Sequence, residues 1–410
     1  MRFPYGYYLL CVFVYLIALP FLVISSFRQK HRYSLPARFF TRDLNLTYKP
    51  HYWFHACSFG EVKSLEPIIS ALKKTHTTIL ITTITQTGYE EAKRLYETSD
   101  SKDLGHQEEK GQVMVKYLPF ELFLPVWNRY LDELKCLIVT EAEIWKMLFF
   151  VAKAHNAHTM LINARISERS LKNYLRLKWF YRGVFKTIDS VLAQSQLDKS
   201  RLEMVGAHNV EVFGNLKVLN APKLGKSYVK PPAFVVMGAS THKGEEKLIL
   251  QAFMSLKKTT PDAILLIAPR HPERFSDVYQ SLLQSSLRVA RFSQKGLEAI
   301  ESAEVILVDV LGELVNLYAI SDVVILGGAF AKVGGHNPLE PAFFHTKLIS
   351  GEYIFNQRAL FECVKNAYII PPEKLEETLL NHKNLSQSSV ECASDDKLHQ
   401  LLEKITHANR

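Results

Sequence analysis

Asp322-Val323-Val324-Ile325-Leu326-Gly327-Gly328, followed by Gly334-Gly335-His336-Asn337-Pro338-Leu339-Glu340-Pro341, is the stretch on which the fold turns. An apolar run of strand length ends in paired glycines, whose missing side chains let backbone approach a ligand. A polar turn then opens a helix, where free N–H groups point outward and favour an anion. Glu340 adds an acceptor suited to a sugar hydroxyl. This is the layout of a phosphate or nucleotide cradle in an α/β layer, although a plain strand–turn–helix connection has the same letters. Neither half of the chain carries a GxGxxG or GxxxxGK[ST] pattern, which disfavours dinucleotide and P-loop readings.

Outward from this stretch, apolar strand-like runs alternate with helical patterns, the mark of α/β layers with parallel sheets. In the first half the runs are Thr78–Thr83, Val113–Tyr117, Cys136–Thr140, Thr159–Ile162 and Ser190–Ala193, with helices over Val62–Lys74 and Glu168–Lys186. In the second half they are Phe234–Met237, Ile264–Ala268, Leu287–Ala290, Val305–Val308 and Val323–Leu326. Val218–Pro232, with three prolines, reads as the connection, and Thr98–Gly111 as a polar surface loop. The expected division is a segment over 1–27, a domain over 28–220, a linker over 221–232, a second domain over 233–395 and a terminal helix over 396–410. Two doubly wound sheets facing one cleft are the expected architecture.

A chain of 410 residues suits two domains, and 47% hydrophobic with 22% charged residues excludes a disordered chain. Five scattered cysteines without a CxxC pair support neither a disulfide framework nor a structural zinc site. The formal charge of +9 calls for an anionic partner. Nucleic acid is disfavoured because no helix-turn-helix or RNA-binding signature accompanies it. From Tyr5 to Ile24 the chain carries no charge, and about twenty helical residues span about 30 Å, a bilayer core. Arg28, Lys30, Arg32, Arg38 and Arg42 follow, against Arg2 alone before, so the bulk of the protein is expected on the cytoplasmic side. A cleaved leader is the alternative, and no convincing small-x-small site supports it.

Several strand ends carry chemistry. In His55-Ala56-Cys57-Ser58-Phe59-Gly60-Glu61, the last residue lies near a helix start as a carboxylate able to take a proton; Ser58 with Glu61 also matches a capping box. Thr140-Glu141-Ala142-Glu143 places two carboxylates at a carboxyl strand end, where sugar hydroxyls bind in open sheets, though acidic residues also open helices. Arg165 and Arg169, four apart, would share a helix face suited to a phosphorylated acceptor, or simply a solvated one. Lys217 can meet an anionic leaving group. Pro269-Arg270-His271-Pro272 presents cationic donors from a rigid turn. Ser240, Thr241 and Glu313 lie in two further connections and serve equally well as helix caps or openers.

Taken in order from His51 to Arg358, the segments HACSFGE, TQTGYE, TEAEIW, NARISERS, GNLK, GASTHKGEE, PRHPERF, DVLGEL and GGHNPLEP resemble the 3-deoxy-D-manno-octulosonic acid (Kdo) transferases of lipopolysaccharide synthesis. The resemblance implies a GT-B fold, an N-terminal membrane anchor, an acceptor domain over 28–220 and a CMP-Kdo domain over 233–395. It implies inverting transfer of Kdo from CMP-Kdo to a lipid A precursor (lipid IVA) at the inner membrane, with no cofactor and no metal. By it, Glu61 is the general base, and Glu143 and Lys217 support the transition state. Pro269, Arg270, Leu311, Gly312, Glu313, Asn337, Pro338, Leu339 and Glu340 contact CMP, with Ser240, Thr241, His271, Gly335 and His336 in the same pocket. Ser58, Gly60, Arg165 and Arg169 would receive the acceptor. Lys146 stands where the family often has proline, and Ala329 where it often has serine.

Overall fold

A computed structural model describes residues 2–42, 44–75, 77–97, 111–391 and 395–406. Most of the loop expected over 98–111 therefore lies outside the described residues. The chain divides into two compact units, Met1–Asn220 with Ser394–Arg410, and Ala221–Ala393.

The first unit holds a seven-stranded sheet of β1 (Tyr52–His55), β2 (Ile79–Thr83), β3 (Val113–Tyr117), β4 (Cys136–Thr140), β5 (His158–Ala164), β6 (Ser190–Ala193) and β7 (Val210–Val212). Its order is β3-β2-β1-β4-β5-β6-β7 and every pairing is parallel. Both faces are covered by helices, so β1, β2 and β4 are buried at every position, and their sequences read as continuous apolar runs without alternation. Helix Val62–Lys74 of the sequence reading is two helices, Phe59–Ser64 and Glu66–Lys73, because Pro67 fits only a first turn. The pattern over Glu168–Lys186 likewise breaks at Leu177.

The second unit holds β8 (Val235–Thr241), β9 (Ile264–Pro269), β10 (Val289–Arg291), β11 (Val305–Leu307), β12 (Val323–Leu326), β13 (Lys347–Ser350), β14 (Val364–Lys365), β15 (Ala367–Ile369) and β16 (Ser389–Val390). Its main sheet runs β10-β11-β9-β8-β12-β13-β15, again all parallel, while β14 and β16 form a small antiparallel pair. β13 and β15 escaped the sequence reading because each is short and apolar only in part.

Two further segments bear on function. The helix Tyr5–Ser26 is long and apolar enough to cross a membrane. One flank packs on the first unit: the Tyr7 hydroxyl donates to buried Glu121, Phe3 meets Phe150 and Tyr15 meets Phe123. Leu9, Phe13, Leu16, Ile17, Phe21 and Ile24 face outward. Lys146, the residue in the proline position, places its ammonium over the rings of Tyr7 and Phe180 at 5.2 and 5.6 Å. The helix Asp395–Thr406 returns to the first unit, burying Leu401 and Ile405 in its core and pairing Lys404 with Glu211 at 2.7 Å.

Candidate active site

Strand order reverses between β1 and β4 in the first unit and between β8 and β12 in the second. Loops leaving carboxyl strand ends diverge there, opening a crevice at the usual ligand position of doubly wound sheets. Glu61 and Glu143 leave the first switch point, and Ser240 to His242 and Gly327 to His336 leave the second.

In the first unit Ser58 caps the helix Phe59–Ser64, accepting from the Glu61 amide at 3.3 Å. Its hydroxyl donates to Glu61 Oε1 at 2.7 Å. Oε2 accepts from the Cys57 amide at 3.0 Å and from the Thr140 hydroxyl at 2.7 Å. The Ser58 half of the expected capping box is formed, while the Glu61 carboxylate reaches back to the Cys57 amide in place of the Ser58 amide. Oε2 takes two donors, while Oε1, with one, keeps a second lone pair. Gly60 lies exposed in the same turn. Thr140 opens the segment quoted from the sequence but carries no role there; a hydroxyl closing an otherwise apolar strand is the signal for its bond to Glu61.

On the next loop Glu141 takes a left-handed φ of 55° and accepts from Arg165 at 3.1 Å. Burial raises its carboxyl above the ordinary range, with Arg165 opposing and Glu61 assisting. The Glu143 carboxylate accepts from Trp145 Nε1 at 2.6 Å. Lys217, exposed beyond β7, acts electrostatically on Glu141. Arg165 and Arg169 do not share a helix face: the helix begins at Glu168, so Arg165 is in the loop paired with Glu141, and Arg169 is exposed in the first turn.

Although Arg38 belongs to the basic run that follows the apolar segment, its Nε donates to the Leu118 carbonyl at 3.0 Å. Burial lowers its pKa against the pull of Cys57 and Glu143, so a half-buried cation adjoins this site.

In the second unit the candidate residues come from four neighbouring strands, β11, β9, β8 and β12. Ser240, with φ 53°, sits where the register between β8 and β9 shifts. Such a conformation in a non-glycine residue costs about 1–3 kcal/mol and is typically kept at functional loops. The Thr241 hydroxyl donates to Glu246 at 2.8 Å, and Arg274 binds both Glu246 oxygens at 2.8 and 3.0 Å. The Arg270 amide donates to the Thr241 carbonyl at 3.0 Å, fixing the Pro269-Arg270-His271 turn to this loop with the Arg270 side chain exposed.

Glu245 joins the β8 and β12 loops. Its Oε2 accepts from the amides of His242 and Gly328, both at 2.8 Å, and its Oε1 from those of Phe330 and Ala331, both at 3.0 Å. The residue is 2% exposed. A side chain at Gly327 would strike Glu245 Oε2 at 2.7 Å, and one at Gly328 the His336 ring at 2.8 Å, which is why paired glycines are required. Glu245 carries no assigned role in the sequence; three of its four partners lie more than eighty positions away.

His242 and His336 approach to 2.9 Å between Nε2 atoms, so one donates while the other accepts. The His271 ring lies 5.3 Å from that of His242. Burial, then His242, Arg270 and His271, lower His336 to about 4. Gly335 donates to the Gly328 carbonyl at 2.7 Å, and Asn337 bonds both the Leu339 amide and Glu340. The helix after Pro338 is only Leu339–Phe343, so its dipole is weaker than the sequence reading assumed, and cationic side chains carry more of the positive potential.

Glu313 is placed differently from the rest. It is buried and accepts from Lys226 at 2.6 Å, Tyr228 at 2.9 Å and Asn316 at 2.8 Å, clamping the segment after the unit boundary. Burial opposes its ionisation, but these hydrogen bonds prevail and hold it below the usual range. Leu311 and Gly312 beside it are exposed. A groove of about 800 Å³ lined by His158, Asp189, Asn209 and Lys404 opens at the amino ends of β5 to β7, the opposite sheet edge, away from the candidate residues.

A family model described as 3-deoxy-D-manno-octulosonic-acid transferase (kdotransferase) matches residues 28–220. A 3-deoxy-D-manno-octulosonic acid transferase of Haemophilus influenzae is 31% identical over 81% of this chain and 79% of its own. One from Bordetella pertussis is 33% identical over 74% of this chain and 72% of its own. Among solved structures, the UDP-GlcNAc 2-epimerase of Neisseria meningitidis aligns with a TM-score of 0.50 over 87% of this chain and 100% of that one, at 11% identity, a likeness of fold alone.

Proposed function

The chain belongs to the 3-deoxy-D-manno-octulosonic acid transferases and is a glycosyltransferase, and from that premise we propose that it moves Kdo from CMP-Kdo onto a lipid A precursor at the cytoplasmic face of the inner membrane. The observation that carries this reading is the Glu61 carboxylate, fixed by three donors at the switch point of its sheet with one Oε1 lone pair to spare.

Glu61 takes the proton from the acceptor hydroxyl as its oxygen forms a bond to C2 of Kdo. The bond from C2 to the phosphate oxygen breaks, and CMP leaves with the electron pair from the opposite face, so the configuration inverts. A positioned base of this kind contributes about 10²–10⁴ in rate. Positive charge growing on the sugar ring is met by Glu143, and Lys217 supports the anionic carboxylate or phosphate. Arg270 and the imidazoles of His271 and His336 meet the leaving phosphate, the kind of stabilisation a divalent cation supplies in other enzymes. Glu340, Asn337 and the Ser240–Thr241 loop hold the nucleotide, and Leu311 and Gly312 border it. Glu313 fixes that border through the linker. Ser58, Gly60, Arg165 and Arg169 receive the acceptor and its phosphates.

The helix Tyr5–Ser26 anchors the chain, its inner flank docked on the first unit and its outer flank in lipid. Exposed Arg28, Arg32 and Arg42 face anionic headgroups. Incubating the full chain in anionic lipid vesicles with CMP-Kdo and a tetra-acylated lipid A precursor tests the reading. Mass spectrometry is expected to show the precursor gaining whole Kdo units; release of CMP with no change in lipid mass refutes it.

A further inference from the structure

We infer that His55, Cys57 and Glu143 form a binding site for a divalent first-row metal ion of zinc type, in addition to the substrate sites. One ligand atom from each lies within 4.8 Å of the others. His55 Nδ1 lies 3.1 Å from the Thr82 carbonyl, an acceptor only, so Nδ1 carries the proton and Nε2 a lone pair. That lone pair faces Cys57 Sγ at 3.6 Å. With Zn–S of about 2.3 Å and Zn–N of about 2.05 Å, a tetrahedral site needs an S to N edge of about 3.6 Å. Two ligands are therefore already spaced for one ion. The third, Glu143, is half-buried and already meets the Cys57 side chain through a hydrogen bond.

The outer contacts are also those of a metal site. A ligating histidine ordinarily donates its other N–H to a carbonyl or carboxylate, as His55 does to Thr82. Glu143 is steadied by the Trp145 indole N–H. A mixed S, N and O set with three protein ligands leaves a fourth position open and suits zinc, cobalt or copper over magnesium or calcium. On binding, the Cys57 thiol gives its proton to solvent as the metal–sulfur bond forms. With three protein ligands and a fourth position open to exchange, binding at this site is reversible.

Metal binding itself does not rest on the transferase reading; its consequence does. An ion held by Glu143 withdraws that carboxylate from the sugar, and one held by Cys57 bears on the residue whose amide orients Glu61. Zinc therefore suppresses transfer reversibly.

The metal-stripped full chain in detergent is titrated with Co²⁺ and then Zn²⁺. The expected result is a thiolate-to-cobalt charge-transfer band saturating at one equivalent and bleached by Zn²⁺. The band is absent in Cys57→Ser. In Glu143→Gln the band persists, with at least tenfold weaker affinity. A wild-type chain without the band, or equal zinc affinity in wild type and Cys57→Ser, overturns the site. In transfer assays, zinc suppression reversed by chelator is expected in wild type and lost in Cys57→Ser, each variant being compared with itself without metal. Suppression equal in both overturns the inhibitory role. A chain inactive under every condition refutes the transferase reading and leaves the cobalt spectrum to decide the site.

Discussion

Replacing Glu245 by glutamine removes one charge and almost no volume from the centre of the proposed donor cradle. In the native residue each carboxylate oxygen accepts two backbone N–H groups, drawn from His242 and from the Gly328–Ala331 segment. Whichever way the amide is turned, its NH₂ faces two donors, so two bonds are lost and two buried N–H groups are stranded. Hydrogen bonds to a charged acceptor are worth about 1.5–3 kcal/mol each, which puts the cost at about 3–6 kcal/mol. In a unit of this size each kcal/mol lowers Tm by about 2–4 °C, so its melting falls by on the order of 10 °C. CMP affinity, measured by calorimetry well below the transition, falls as well, because the same carboxylate sets the spacing of His242 and His336. Glu245→Asp keeps the charge and recovers part of both losses. A Gln variant that melts and binds CMP like the wild type refutes the view of Glu245 as the tie between the two loops.

Arg270→Ala is expected to weaken CMP-Kdo binding about tenfold to a hundredfold through loss of a charge-assisted contact to phosphate, with melting unchanged because the side chain is exposed; unaltered donor KM counts against its role. Charge reversal at Arg28, Arg32 and Arg42 lowers binding to anionic vesicles by about 2 kcal/mol per residue, twice the worth of one basic charge, without affecting the fold, whereas Arg38→Ala destabilises the first unit, which thermal melting distinguishes. Stability is expected to fall on acidification from about pH 6.5 towards pH 4. His55 and His336 titrate near 3 and 4 in the folded chain because burial disfavours their charged forms, against about 6.5 unfolded. Between these values the unfolded chain binds more protons, so stability is complete above pH 6.5 and is lost as pH falls. A Tm flat from pH 7 to pH 4.5 contradicts this.

The parallel sheets were legible because strands buried on both faces are written as unbroken apolar runs. Val113–Tyr117, Cys136–Thr140, Ser190–Ala193 and Val323–Leu326 fall where the letters put them. The loops bearing Glu61, Glu143, Arg270 and His336 were legible for a related reason: polar residues directly after such runs lie at carboxyl strand ends. What could not be read is pairing across distance. Nothing in the letters around Glu245 points to Gly328, and only the fold brings the two together. Arg38 looked like one of five basic residues in a row, and only packing against Leu118 turns it inward. Glu313 reads as a helix opener or a nucleotide contact, and only the fold brings Lys226 and Tyr228 over it. Local chemistry is written locally, but the partner that decides a buried charge is not.

The most direct test is Glu61→Ala, assayed side by side for Kdo transfer to lipid acceptor and for CMP binding. With the base removed and the second unit untouched, transfer is expected to fall by about 10²–10⁴ while CMP affinity stays within twofold of wild type. Transfer at the wild-type rate in that variant contradicts the account.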